Sequence, residues 1–409
     1  MPVKVALVIS HPIQHFCVFY RALAAVETLD LEVVFCSDLG VRRYFDRNMG
    51  VEIAWKADLL SGYSHRFLPE GPTIQGTRFW EINNPSLDSN LNEVAPDVVV
   101  VAGYAQATML RAIVWARRHG VPVLMAGDSE LLHHRPWYRR ALKHFVLRPL
   151  LSQIAGFLTV GENNEAYLRH YGVPADRMFR SPFTIDEASF AAVRAERSSV
   201  RDAFRRRHQL PADAFVVLFV GKLIAHKRPG DLVQALVRLR ADGAPEGPVW
   251  LALAGDGPLR GDLERAAAGL NCRFLGFLNL DELPAAYVAA DVFALPSERE
   301  PHSLAVQEAV FVGLPVVLSD RVGTTGPSDV SRAGINALVY PCGDVPALAA
   351  ALDALVRDPA RLAAMGRASL QVSGEVGLAQ SVAGFCAAVT AVNARRRHRF
   401  QAAHRHRSG

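Results

Sequence analysis

The chain lacks most marks of an extracellular, membrane-spanning or metal-bearing protein. Its 409 residues hold five cysteines, Cys17, Cys36, Cys272, Cys342 and Cys386, scattered and with no Cys-x-x-Cys pair. That spacing indicates neither a disulfide framework nor a zinc knuckle, and it suits a reducing cytosol. No apolar run reaches the roughly 18 residues needed to cross a bilayer, and the run after Met1 is too short for a signal peptide, so a cytoplasmic location is expected. Asp-x-Asp is absent, and so is the Gly-x-Gly-x-x-Gly fingerprint of dinucleotide binding. Aromatic residues make up an ordinary 8% and charged residues 21% of a chain that is 50% hydrophobic, which argues against a disordered or fibrous protein.

The formal charge of +5 is modest for this length, and much of it sits in Arg395, Arg396, Arg397, Arg399, Arg405 and Arg407. Residues 394–409 are therefore expected to form a basic, disordered tail, either simply solvated or in electrostatic contact with anionic lipid or nucleic acid. No recognisable nucleic-acid-binding fold accompanies that charge, so nucleic acid is not an expected partner.

What the sequence does contain is a regular alternation. Apolar, β-branched runs at 3–10, 31–36, 97–103, 122–128 and 156–161, and again at 214–221, 249–255, 272–277, 291–296, 315–320 and 337–340, are separated by helical stretches. Strands alternating with helices predict α/β domains with parallel sheets. Runs such as Val98-Val99-Val100-Val101 are apolar on both faces, as strands covered by helices on either side must be. The pattern pauses between about 181 and 213. Two doubly wound, Rossmann-like domains, 1–185 and 186–377, would then face a central cleft, followed by a terminal helix at 378–393.

Three cleft-facing motifs carry chemistry. In the stretch Glu298-Arg299-Glu300-Pro301-His302-Ser303-Leu304, a helix is expected to begin near Ser303 and to stop at Gly313. Its amides and dipole suit a phosphate, and Glu300 and Glu308 can accept hydrogen bonds from sugar hydroxyls. In Gly221-Lys222-Leu223-Ile224-Ala225-His226-Lys227, directly after a strand, two cations can converge on one pyrophosphate. In Gly255-Asp256-Gly257-Pro258, small residues permit close backbone approach. Each motif also has a plain structural reading as surface carboxylates, solvated lysines or a tight turn.

Together, in this order and spacing, the motifs resemble the retaining, nucleotide-sugar-dependent glycosyltransferases of family 4, which have the GT-B architecture and a Glu-x7-Glu signature. Glu300 and Glu308 match that signature, and Gly255-Asp256-Gly257-Pro258 matches the family's Gly-Asp-Gly-Pro turn. The resemblance covers roughly 181–355 closely and the first half loosely. It implies that Lys222 and Lys227 bind the donor pyrophosphate, Glu308 the ribose hydroxyls and Glu300 the donor sugar. Amides near Ser303 and Leu304 would complete the phosphate cradle. It further implies no metal or other cofactor, a nucleoside-diphosphate-sugar donor, a hydroxyl acceptor, and electrostatic stabilisation of the leaving group as a source of catalysis.

The chain also departs from the family. Pro301-His302-Ser303 stands where glycines are usual, which makes His302 a further donor-site candidate. The first-domain glycine-rich loop is replaced by Ser10-His11-Pro12-Ile13-Gln14-His15, and the histidine often found after the fourth strand is replaced by Asp128. His11, His15 and Asp128 are the acceptor-side candidates, with Asp128 orienting the acceptor hydroxyl; a hydrogen-bonded loop or a helix cap is the alternative for each. The basic, aromatic segment Arg135–Arg148 reads either as an amphipathic helix on the first sheet with an exposed basic edge or as a peripheral contact with the inner face of the cell membrane. A GT-B sugar-nucleotide epimerase and a catalytically silent partner subunit remain the competing functional readings.

Overall fold

A computed structural model describes the chain except for residues 43, 47–50, 54–57, 133–135, 242–247 and 406–409. The first half contains β1 (Val3–Ile9), β2 (Leu29–Phe35), a short antiparallel pair of β3 (Tyr44–Asp46) and β4 (Val51–Ile53), then β5 (Ser64–Phe67), β6 (Val98–Ala102), β7 (Val123–Gly127), β8 (Gly156–Thr159) and β9 (Met178–Arg180). The second half contains β10 (Phe215–Val220), β11 (Val249–Ala254), β12 (Cys272–Gly276), β13 (Val292–Leu295), β14 (Val316–Ser319) and β15 (Ala337–Tyr340).

Two parallel sheets result, in the orders β5-β2-β1-β6-β7-β8-β9 and β12-β11-β10-β13-β14-β15. In each, the strand order reverses once, at β1/β6 and at β10/β13. The registers there pair Val5 with Val98 and Val217 with Val292. Loops leaving the two strands at such a point diverge to opposite faces, and the crevice between them is where α/β proteins bind ligands.

The four-valine run of β6 shows why these sequences make buried strands. Val99 and Val101 pack into the core on one face of the first sheet, and Val98 and Val100 into the core on the other. That second core is completed by the terminal helix Leu378–Arg405, whose Phe385, Ala388, Val389 and Val392 are buried in it. Burying a phenylalanine of this kind contributes roughly 1.5–3 kcal/mol.

The chain crosses between the halves twice, and the crossings are tied together. Ser181 Oγ lies 3.0 Å from Ser381 Oγ, and the Leu378 amide donates to Glu187 Oε1 over 2.6 Å. Gly384 admits this approach, since a Cβ there would lie 1.8 Å from the Arg180 carbonyl oxygen.

Two expectations about the C-terminal end are corrected. The segment from 394 is not a disordered tail as far as it is described: the terminal helix continues to Arg405, and Arg395 pairs with Asp176 at 3.1 Å while Arg396 donates to the Asp97 carbonyl over 2.8 Å. Arg407 lies outside the described residues. The stretch Pro359–His398, moreover, is long and apolar enough by composition to cross a membrane. It is two helices that break at Gly374, and its Met365, Val372 and Phe385 are buried in protein.

Candidate active site

The second-domain side of the cleft is built on the loops after β10, β11 and β13. Beyond Val220 the chain turns at Gly221 through Lys222 and closes a short 3-10 turn, Ala225–Lys227. Arg228 then adopts a left-handed conformation at φ 50° before helix Pro229–Ala241. The Gly-Asp-Gly-Pro turn lies against this loop. The Leu223 amide donates to the Asp256 carbonyl over 2.9 Å, and the Leu259 amide to the Leu223 carbonyl over 3.1 Å. A Cβ on Gly255 would lie 2.0 Å from the Gly221 carbonyl oxygen, and one on Gly257 2.5 Å from that of Leu223. The close approach these glycines permit is thus to the Lys222 loop, whose course they fix.

The loop after β13 closes over the same place. The Glu298 amide donates to the His226 carbonyl over 2.8 Å, and Lys227 Nζ makes an ion pair with the largely buried Glu300 carboxylate. The Gly323 amide in turn donates to the Glu300 carbonyl over 2.8 Å. Helix Leu304–Phe311 begins where the sequence placed it, with buried Ser303 at the N-cap accepting from the Val306 amide over 3.4 Å. On its second turn, Glu308 accepts a 2.6 Å hydrogen bond from Tyr287 Oη. Burial raises the Glu308 pKa from 4.5 to about 7, and the tyrosine bond opposes part of the rise.

The first-domain side presents the ends of β1, β6 and β7. Asp128 follows β7, and its pKa is raised first by burial and then by the nearby charge of Glu300. His11 Nδ1 lies 2.9 Å from Ser10 Oγ, and burial lowers its pKa to about 4. His15 is lowered to about 4 by burial and then by His11. His302 reaches over from the second domain, edge-on to Phe183 with ring centroids 5.0 Å apart. Its pKa is lowered to about 4 by burial, with contributions from Arg180 and His15. Lys222, Lys227, Gly255, Gly257, Glu300, His302, Ser303, Leu304 and Glu308 lie on the loops after β10, β11 and β13 and the helix that follows, and His11, His15 and Asp128 on the segments after β1 and β7.

Contacts that the sequence reading did not single out hold the walls together. Asp329 accepts from the Glu162 amide over 3.0 Å and pairs with Arg180 at 2.8 Å, and Asn163 Nδ2 donates to the Gly323 carbonyl over 3.0 Å. No local motif marks these residues, because their partners lie about 150 positions away in the chain. A cavity of about 370 Å³ lies on the first-domain wall, with Ser10, Ile13, Phe16, Gln106, Asp128 and Phe183 among its lining residues.

Helix Trp137–Ser152 packs one face onto the first domain. Lys143 turns inward, its ammonium 4.8 Å from the centre of the Tyr167 ring, and Leu147 and Leu151 are buried. The outer face carries Trp137, Leu142 and Phe145, which are 80%, 67% and 78% exposed. These apolar side chains and Arg148 are exposed on the helix; Arg135 lies outside the described residues.

Residues 200–372 match the family described as glycosyl transferases group 1, and residues 32–183 match a glycosyl transferase 4-like domain. The 2-deoxystreptamine glucosyltransferase of Streptomyces kanamyceticus is 32% identical over 278 residues, covering 64% of this chain and 68% of that protein. A D-inositol 3-phosphate glycosyltransferase of Salinispora tropica is 34% identical over 194 residues, or 45% of this chain. The chain spans 39% of that relative's length and 29% of that of the Arabidopsis thaliana sulfoquinovosyl transferase SQD2. Among solved structures, Anabaena Alr3699/HepE in complex with UDP aligns with a TM-score of 0.71 at 16% identity, covering 96% of this chain and 100% of that one. Sucrose-phosphate synthase from Thermosynechococcus elongatus aligns at 0.68 and 20% identity, covering 98% of this chain and 100% of that one. At these identities the structural likeness shows a shared two-sheet fold.

Proposed function

Because the chain belongs to the glycosyltransferases of the family 4 type, with the GT-B fold, we propose that it moves a sugar from a nucleoside diphosphate to a hydroxyl acceptor, with retention of configuration and without a bound metal. The observation that carries this reading is the convergence of Lys222, Lys227, Glu300 and the start of helix Leu304–Phe311 at the second sheet's switch point, opposite Asp128. The bond between the anomeric carbon and the phosphate oxygen breaks, a bond to the acceptor oxygen forms, and the acceptor proton passes to the departing diphosphate. Two lysines and a helix N-terminus aimed at that diphosphate stabilise its charge as it develops. Glu300, held by Lys227, contacts the sugar; Glu308 accepts from the ribose; Asp128 orients the acceptor hydroxyl.

A thermal-shift screen across UDP-, GDP-, ADP- and dTDP-sugars tests this, because a ligand that prefers the folded state raises the melting point. UDP-glucose is the first donor to try, since Alr3699/HepE is solved with it. One donor should raise the melting temperature and release its diphosphate in the presence of EDTA. Failure of every donor, with Glu308→Ala behaving as wild type, would contradict the reading.

We propose further that the enzyme works at the cytoplasmic face of an anionic membrane, docked through helix Trp137–Ser152. The supporting observation is the exposed Trp137, Leu142 and Phe145 face on a chain of net positive charge.

A further inference from the structure

The first-domain cavity has a chemistry that the transfer reading does not itself require. It lies between the ends of β1, β6 and β7, helix Gln14–Ala24 and the terminal helix, and Ile9, Ile13, Phe16, Phe19, Phe183 and Phe385 form much of its wall. Its volume, about 370 Å³, falls within the range of small-molecule sites. The polar side chains in the lining are mostly engaged within the protein. Ser10 Oγ meets His11, Gln106 Nε2 donates to the Thr77 carbonyl over 3.3 Å, and Thr184 Oγ1 donates to the His15 carbonyl over 3.4 Å. Ser381 Oγ donates to the Pro182 carbonyl over 2.7 Å, and Tyr104 Oη lies 2.6 Å from Tyr167 Oη. Asp128 is the only carboxylate among the described lining residues, and it directly follows β7, at the C-terminal end of the first sheet's strands.

A polyol in this cavity would give up its water to apolar walls and to groups already hydrogen-bonded elsewhere, which penalises every buried hydroxyl. A hydrocarbon surface would be favoured there, and one hydroxyl could reach Asp128. We infer that the acceptor carries its hydroxyl on an apolar body, a ring system or a hydrocarbon chain, seated in this cavity with the hydroxyl at Asp128 and opposite the donor sugar. The inference rests on the transfer reading above and adds the acceptor class to it.

The test follows release of UDP from UDP-glucose, or of the diphosphate of whichever donor gives the largest melting shift, with three acceptors: 4-methylumbelliferone in solution, farnesol in phosphatidylglycerol vesicles, and glucose. At least one of the two apolar alcohols should give a kcat/KM tenfold or more above that of glucose, and which one does so separates a freely diffusing from a membrane-borne acceptor. Ala102→Phe, which fills the cavity, should lower that kcat/KM at least tenfold while the donor-induced melting shift persists; Ala126→Leu replaces it if Ala102→Phe does not fold. Donor binding together with glucose used as well as the apolar alcohols, or with neither alcohol used, overturns the inference, as does a filled cavity without effect. Absence of any donor-induced shift would sink the transfer reading instead.

Discussion

Burial brings the titration of Glu308 into the neutral range. Its carboxyl titrates near 4.5 in an unfolded chain and at about 7 in the folded one. The folded state therefore binds the extra proton between these values, so the stabilisation is fully present below about 4.5 and is lost as pH rises through about 7. Glu308→Gln should flatten the fall in melting temperature across that window, as a pH series of melting curves would show. If Glu308 holds the ribose as proposed, its carboxylate accepts from the hydroxyls more strongly than the neutral acid does, so donor affinity should rise through the same window in wild type and stay flat in Glu308→Gln, by calorimetry at pH 5.5 and 8.5. Removing a charge-assisted hydrogen bond of this kind costs about 1.5–3 kcal/mol.

At the scale of elements, the glycine turns are the sharpest case. Gly255, at φ +134°, presses its Cα face onto the Gly221 carbonyl, whereas Gly269, at φ +77°, has open space around it. Gly269→Ala pays only for its left-handed backbone, about 1–2 kcal/mol. Gly255→Ala adds a backbone collision and must displace the Lys222 loop; its urea midpoint should fall well below that of Gly269→Ala, and donor binding should go with it. Equal midpoints would show that the two loops are not packed as described. The exposed face of helix Trp137–Ser152 makes the opposite kind of prediction. The double variant Leu142→Ser and Phe145→Ser should lose co-sedimentation with anionic vesicles and keep its melting temperature, because neither side chain is buried.

The strand runs, the cap at Ser303 and the order of motifs could be read from the sequence because period and cap chemistry are local properties. The orientation of helix Trp137–Ser152 could not, since its composition does not reveal that Lys143 turns inward over Tyr167. The helical course of residues 394–405 was hidden for a similar reason: Arg395 and Arg396 read as solvated charge until Asp176 and the Asp97 carbonyl are brought beside them.

Across the whole molecule, the two lobes meet through polar contacts around Asp329 and through a buried aromatic and histidine cluster. His11, His15 and His302 have pKa values lowered to about 4 by burial. Their neutral forms stabilise the fold above about 6.5, and that contribution is lost as pH falls through about 4, so acid should loosen the cleft. Asp329→Ala removes the partner of the Glu162 amide and one of the two carboxylates that pair with Arg180. Small-angle scattering should report a larger radius of gyration for this variant, and the acceptor KM should rise while donor affinity changes little. An unchanged radius would mean that the lobes are held elsewhere.

The central claim is that Lys222, Lys227 and Glu308 form one grip on a nucleoside diphosphate. Calorimetric titration of UDP, GDP, ADP and dTDP into wild type, Lys227→Ala and Glu308→Ala measures it directly. The account predicts that one nucleotide binds wild type, and that each substitution weakens it tenfold or more while leaving the protein folded. A nucleotide that binds all three proteins equally, or none that binds wild type, would contradict it.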